Sequence, residues 1–178
     1  MKRKAILSAA VLALIAAGAP ATKIFDQFIH EKEGNTLVAV VDPGGVWSIC
    51  HGVTHINGKP VIKGQRVTAK TCEKLNAIER AKALAWVDQN IHVPLSEPAK
   101  AGIASFCPYN IGPAKCFNST FYRRINQGNF KGACEALRWW IMDGGRDCRK
   151  TKGQADGCYG QVTRRQQESA LVCWGIDD

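Results

Sequence analysis

Cysteine placement constrains this chain more than any other feature. Eight cysteines stand at positions 50, 72, 107, 116, 134, 148, 158 and 173, with none in residues 1–49 and no C-x-x-C pair. Ligand spacing of that kind does not suit zinc, so no metal site is expected. An even set in an exported chain is most simply a disulfide framework of four bridges. Eight cysteines admit about 105 pairings, and sequence alone does not choose among them. The pairing we expect is Cys50–Cys72, Cys107–Cys116, Cys134–Cys173 and Cys148–Cys158, in which the second and fourth close short loops rich in Gly, Lys and Asn.

Bridges require export, and the N-terminal residues supply a signal for it. Lys2, Arg3 and Lys4 precede an apolar run from Ala5 to Ala21. That run is 17 residues long, but only Ile6, Leu7, Val11, Leu12, Leu14 and Ile15 are strongly apolar. A stable span needs about 20 predominantly apolar residues, so this is a weak membrane helix at best. It reads either as a cleaved signal, with Ala19-Pro20-Ala21 as the small-residue cleavage site, or as an uncleaved and marginal anchor. Both leave the basic residues cytoplasmic and export the rest. We therefore expect an export segment at 1–22 and one domain at 23–178.

The net charge of +9 is +6 without Lys2, Arg3 and Lys4 (9 − 3). It favours anionic partners such as a cell-wall polymer or a membrane surface. The basic residues are dispersed and form no nucleic-acid motif, so no nucleic-acid partner is expected.

After the export segment, Ile24, Phe25, Phe28 and Ile29 mark one face of a helix that Gly34 is placed to end. "TLVAVV" reads as a strand, "DPGG" as a turn and "VWSICHGVT" as the returning strand, with Asn57-Gly58 a further hairpin turn. From Thr68, which can cap it, a long helix runs to about Asn90 with Cys72, Leu75, Ile78, Ala81 and Ala85 along one face. Ser96 caps another helix, with Pro98 in its first turn. Helical patterns recur at 119–126, 130–140 and 163–174, the last capped by Thr163. The fold class is α+β: a small N-terminal sheet lobe, then a larger helical lobe, joined by the long helix.

Glu33 at the end of the first helix and Asp42 at the Pro-Gly-Gly turn are the candidates for chemistry. Glycosidic cleavage needs a proton for the leaving oxygen and a nucleophile or activated water opposite, and two carboxyls in different surroundings supply these. Ser48, on the returning strand, can place a hydroxyl near Asp42 and orient a water. The same residues also read as a solvated helix end and a common turn aspartate. Spacing alone leaves both open. His30, His51, His55 and His92 have no persuasive Ser or Cys partner and read as structural or solvated.

"EGNTLVAVVDPGGVWSICHG" resembles the active-site segment of phage-type lysozymes, glycoside hydrolase family 24. Their pattern of Glu, eight residues, Asp, five residues, Thr falls on Glu33, Asp42 and Ser48. "FCPYNIGPAKCFNSTFYRRINQGNFKGACEALRWW" is similar to the family's helical lobe, and "GQVTRRQQESALVCWG" to its C-terminal helix. The resemblance implies that Glu33 is the general acid and that Asp42 with Ser48 holds the attacking water. Inversion at the anomeric carbon would need carboxyls roughly 6.5–9.5 Å apart. Two departures stand out: Ser48 replaces the usual Thr, keeping the hydroxyl but losing the methyl that restricts χ1, and Val53 stands where many relatives have His. By the same resemblance Tyr109, Asn110 and Thr120 are saccharide contacts, although Tyr109 also reads as a packed core aromatic. The cleft is expected between the lobes.

The implied activity is that of a monomeric endolysin, without cofactor, hydrolysing the β-1,4 link between N-acetylmuramic acid and N-acetylglucosamine in peptidoglycan. The weak N-terminal helix resembles signal-arrest-release segments, which hold some relatives on the inner membrane until the segment escapes into the periplasm. With no cysteine in residues 1–49, a thiol within the segment is not available as the control, so control by release itself is expected. A lytic transglycosylase, which needs one acid/base Glu, and a non-catalytic wall-binding protein are the rival readings.

Overall fold

The computed structural model describes residues 6–41 and 45–176. In chain order these form α1 (Ala9–Ala16), α2 (Ala21–Glu33), β1 (Thr36–Val41), β2 (Trp47–Cys50), β3 (His55–Ile56), β4 (Lys59–Pro60), α3 (Ala69–Asn90), α4 (Glu97–Ala104) and a π-helical segment (Ser105–Ile111). Next come α5 (Pro113–Phe117), α6 (Thr120–Asn126), α7 (Phe130–Leu137), β5 (Met142–Asp143), β6 (Arg146–Asp147), a 3-10 turn (Cys148–Thr151) and α8 (Tyr159–Val172). The chain divides into two compact units, one of residues 26–82 and one of the residues before and after them. The helix-rich chain with small antiparallel sheets is the expected α+β class.

In the 26–82 unit, Gly34 takes φ +65°, the left-handed value that lets the chain turn out of α2 into β1. β1 and β2 pair antiparallel, with Thr36 opposite Cys50, Val40 opposite Ser48 and Val41 opposite Trp47 across an irregular register. Along the other edge of β1, Ala39 N–H donates to Gln65 O at 2.9 Å and Val67 N–H to Leu37 O at 3.0 Å. The returning strand is shorter than its apolar pattern suggests. Cys50 enters the left-handed region at φ +59°, and Ile49 and Val53 then pair across a tight turn. Asn57 and Gly58 have φ +51° and +76°, the signature of a type I′ hairpin, and join β3 to β4. Ala39, Ile49, Val53, Val61 and the Cys50–Cys72 disulfide form the core of this unit.

Thr68 Oγ1 accepts from Thr71 N–H, as a cap for α3 should. The buried face of that helix differs from the expected one. Cys72, Asn76, Ala83, Leu84 and Val87 are buried, whereas Ile78, Ala81 and Ala85 are exposed. The apolar residues of α3 form no single stripe, and Asn76 is drawn inward by its hydrogen bond to His51.

The other unit is helical. Ser96 Oγ accepts from Ala99 N–H to cap α4, with Pro98 in the first turn as expected. α4 lies so close to α8 that a Cβ on Gly102 would meet Leu171 Cβ at 2.8 Å and Val172 Cγ2 at 2.9 Å. Phe106 packs edge-on against Phe121 and Trp140, with ring centroids 5.1 and 5.8 Å apart. The π-helical segment contains Pro108. In α geometry its ring would collide with the Ala104 carbonyl, and the wider turn removes that conflict.

Thr163 is not a cap but lies inside α8, which begins at Tyr159. The Cys148–Cys158 bridge and the bond from Cys158 N–H to Thr151 Oγ1 (3.0 Å) fix the helix start earlier than capping preference would. α7 likewise ends at Leu137 rather than at residue 140. All four disulfides have the expected pairing.

Ser8 Oγ caps α1 through Val11 N–H at 3.1 Å, Val11 is fully buried, and Gln167 Nε2 donates to Ile6 O at 2.8 Å. Among the described residues, no helix is long and apolar enough to cross a membrane.

Candidate active site

Glu33 is the last residue of α2, half-buried, and Gly34 turns the chain away beyond it. The backbone at Gly52 runs alongside the carboxyl. A Cβ there would lie 4.0 Å from Glu33 Oε2, and the φ of +82° also favours glycine. Next to Gly52, the buried His51 anchors the turn through its N–H, which donates to Asn76 Oδ1 at 3.1 Å. His51 Nε2 lies 3.4 Å from His30 Nδ1. Burial, and to a lesser degree His30, push the His51 imidazole below its ordinary value, while Glu33 opposes them.

Ser48 is half-buried on β2, opposite Val40 of β1. Asp42 itself lies outside the described residues. Glu33 and Ser48 thus share the 26–82 unit.

The expected saccharide contacts fall in the helical unit. Tyr109 and Asn110 are consecutive on the π-helical segment, and Thr120 opens α6. The Tyr109 ring meets Phe25 edge-on at 5.6 Å, the packing role its sequence context also allowed. Thr120 Oγ1 accepts from Arg123 Nη2 at 3.2 Å. Asn110 is exposed, with its Oδ1 accepting from Arg165 Nη2.

Arg165 belongs to a buried network that sequence reasoning missed. Its Nη1 donates to Glu168 Oε2, its Nε donates to Trp140 O at 3.2 Å, and its guanidinium lies 5.0 Å from the Phe106 ring centroid. Glu168, fully buried, also accepts from Ser105 Oγ at 2.6 Å and Arg164 Nε at 3.1 Å. Burial lowers the Arg165 guanidinium from its ordinary value, and Glu168 beside it works the other way. In sequence, Arg164-Arg165-x-x-Glu168 looks like a solvated helix face. The one hint otherwise is that Ala170, Leu171 and Val172 come next on the same helix.

The family model described as Phage lysozyme matches residues 30–168, a stretch that holds Glu33, Asp42, Ser48, Tyr109, Asn110, Thr120, Arg165 and Glu168. The chain belongs to the phage lysozyme family. As a family member it is a lysozyme-type glycosidase. It is 67% identical over 177 residues to a SAR-endolysin of Escherichia phage N15, covering 99% of each chain. It is 68% identical over 171 residues to the SAR-endolysin of Escherichia phage 933W, covering 96% of this chain and 95% of that one. Among solved structures, the endolysin from Escherichia coli O157:H7 phage FAHEc1 matches with a TM-score of 0.69 and 29% identity, over 89% of this chain and 93% of that one. This phage lysozyme keeps Glu33 and Ser48 in one unit and the Tyr109-Asn110 pair on an irregular helix in the other.

Proposed function

We propose that this phage lysozyme is an endolysin that cleaves the β-1,4 bond between N-acetylmuramic acid and N-acetylglucosamine in peptidoglycan, lysing the host from the periplasm. The observation that carries the reading is the hairpin geometry. Glu33 closes α2, and Ser48 stands opposite Val40, two residues before Asp42, inside the stretch that matches the family. Glu33 donates its proton to the leaving glycosidic oxygen. Asp42 accepts a proton from a water that the Ser48 hydroxyl helps orient, and that water attacks the anomeric carbon from the opposite face, inverting it. Asn110, Tyr109 and Thr120 hold the glycan by hydrogen bonds and ring contact. No step calls for a metal or cofactor.

The N-terminal residues act as a releasable tether. Residues 1–22 carry the chain into the inner membrane, and residues 23–178 form the catalytic domain. The packing of α1, with Val11 buried and Ile6 bonded to Gln167, supports a released state in which the segment stays attached and folds against the enzyme. The few strongly apolar residues of the run favour escape from lipid.

The test is mass spectrometry of the sugars released from purified peptidoglycan by the oxidised full chain and by Asp42→Asn. Reducing muramic acid ends that disappear in the variant are expected. Anhydro ends that persist in Asp42→Asn would mean a transglycosylase, and no sugar products from the folded protein would mean a binding role.

A further inference from the structure

Asn110 is exposed, yet one end of its amide is tied to a group that is not. Arg165 is 2% exposed and Glu168 0%. A guanidinium has donors only, so the Asn110 atom facing it is the oxygen. The amide's NH2 is then left to a partner other than Arg165, on a residue that is itself exposed. All three guanidinium nitrogens are engaged, with Glu168, Trp140 O and Asn110, and Glu168 is itself held by Ser105 and Arg164. Neither end of this chain of bonds can rotate without leaving a buried charge short of a partner.

We propose that Arg165 is a positioning residue that fixes the Asn110 amide as an outward hydrogen-bond donor, and that its partner is an acceptor-only group of the glycan, the carbonyl oxygen of an N-acetyl substituent. This rests on the proposed role of Asn110 as a saccharide contact. A sugar hydroxyl would not need such an arrangement, because it donates or accepts by rotating its own proton. An acetamido carbonyl only accepts, so an amide free to flip would present the wrong atom part of the time. The π-helical turn and the buried pair together hold the correct one in place.

The substitution that isolates the idea is Asn110→Asp. Aspartate keeps an oxygen toward Arg165 and strengthens that contact by adding charge, but it presents no donor outward. With solubilised, uncross-linked glycan strands as substrate, the expected result is a KM raised about three- to tenfold, the worth of one hydrogen bond, with kcat changed less than twofold. The melting temperature should not fall. Asn110→Ala should raise KM similarly. In R165M/E168M, where the buried pair becomes two apolar side chains of similar volume, KM should rise, and adding Asn110→Ala should raise it no further.

A normal KM in Asn110→Ala would mean that Asn110 does not touch the glycan, and the saccharide-contact reading would fail with the inference. A raised KM in Asn110→Ala beside a normal KM in Asn110→Asp would keep the contact and overturn the oriented donor. Additive effects of R165M/E168M and Asn110→Ala would overturn the role of Arg165. Loss of melting temperature without a change in KM would reduce it to a structural one.

Discussion

Removing one disulfide at a time should rank the bridges by the length of chain each closes. Cys134–Cys173 spans a sequence separation of 39 and Cys107–Cys116 a separation of 9. The chain-entropy relation, about 2.1 + 1.5R ln n cal/mol/K, assigns these about 3.9 and about 2.6 kcal/mol at 25 °C. Cys50–Cys72, with a separation of 22, falls between at about 3.4 kcal/mol. All four cysteines of the two extreme pairs are buried, between 0% and 5% exposed, so the packing lost on truncation to Ala is similar and cancels in the comparison. C134A/C173A should therefore be less stable than C107A/C116A by about 1.3 kcal/mol. That is a melting difference of about 3–5 °C for a chain of this size. The assay is guanidinium and thermal unfolding under oxidising conditions, with the other three bridges confirmed by peptide mapping. Equal midpoints, or a lower one for C107A/C116A, would refute the argument. Stabilisation would then lie in the folded state, for instance in the bridge's hold on the π-helical turn, rather than in the unfolded chain.

Two further outcomes concern protonation and oxidation. His51 is held below its ordinary pKa of 6.5 in the folded state, so below that pH the unfolded chain binds the proton first. The stability it contributes is complete above pH 6.5 and is lost as pH falls through the folded value. Thermal melts between pH 7.5 and 5 should show this decline in wild type and a shallower one in His51→Gln; parallel curves would dismiss the role. The second outcome concerns oxidation during export. Cys50–Cys72 and Cys107–Cys116 join consecutive cysteines, but Cys148–Cys158 nests inside Cys134–Cys173. An oxidant pairing cysteines as they emerge would join Cys134 to Cys148 first, and thiol–disulfide exchange must correct it. Without a disulfide isomerase, non-reducing peptide maps should show errors confined to the last four cysteines; errors spread over all eight would count against this.

What was legible in the sequence were features enforced locally. Gly34 ends α2 because a left-handed residue is needed there, and Asn57-Gly58 makes its hairpin for the same reason. Glu33 is placed by the helix end at Gly34, and Ser48 by the pairing of β2 with β1. Tertiary forces hid the rest. α8 starts at Tyr159 because a disulfide and the Thr151 hydroxyl hold Cys158, overriding the better capping residue Thr163. α3 buries Asn76, whose partner His51 lies 25 positions earlier in the chain. The Arg165–Glu168 pair has the composition of a solvent-facing helix, and only its neighbours Ser105, Phe106 and Trp140 make it an interior one.

The π-helical segment also bears on how the family's sequences can drift. A π turn accommodates one more residue than an α turn. Deleting one residue between Ser105 and Ile111, Pro108 apart, would remove the extra residue that the wide turn holds, and a return to α geometry would press the Pro108 ring against the carbonyl four residues before it. A loss at positions 105–109 would also shift Asn110 along the segment relative to Arg165. Point substitutions can sample chemistry at positions 109 and 110 one side chain at a time. Gaps in this stretch cannot, so the length of the turn should be held more tightly than its letters.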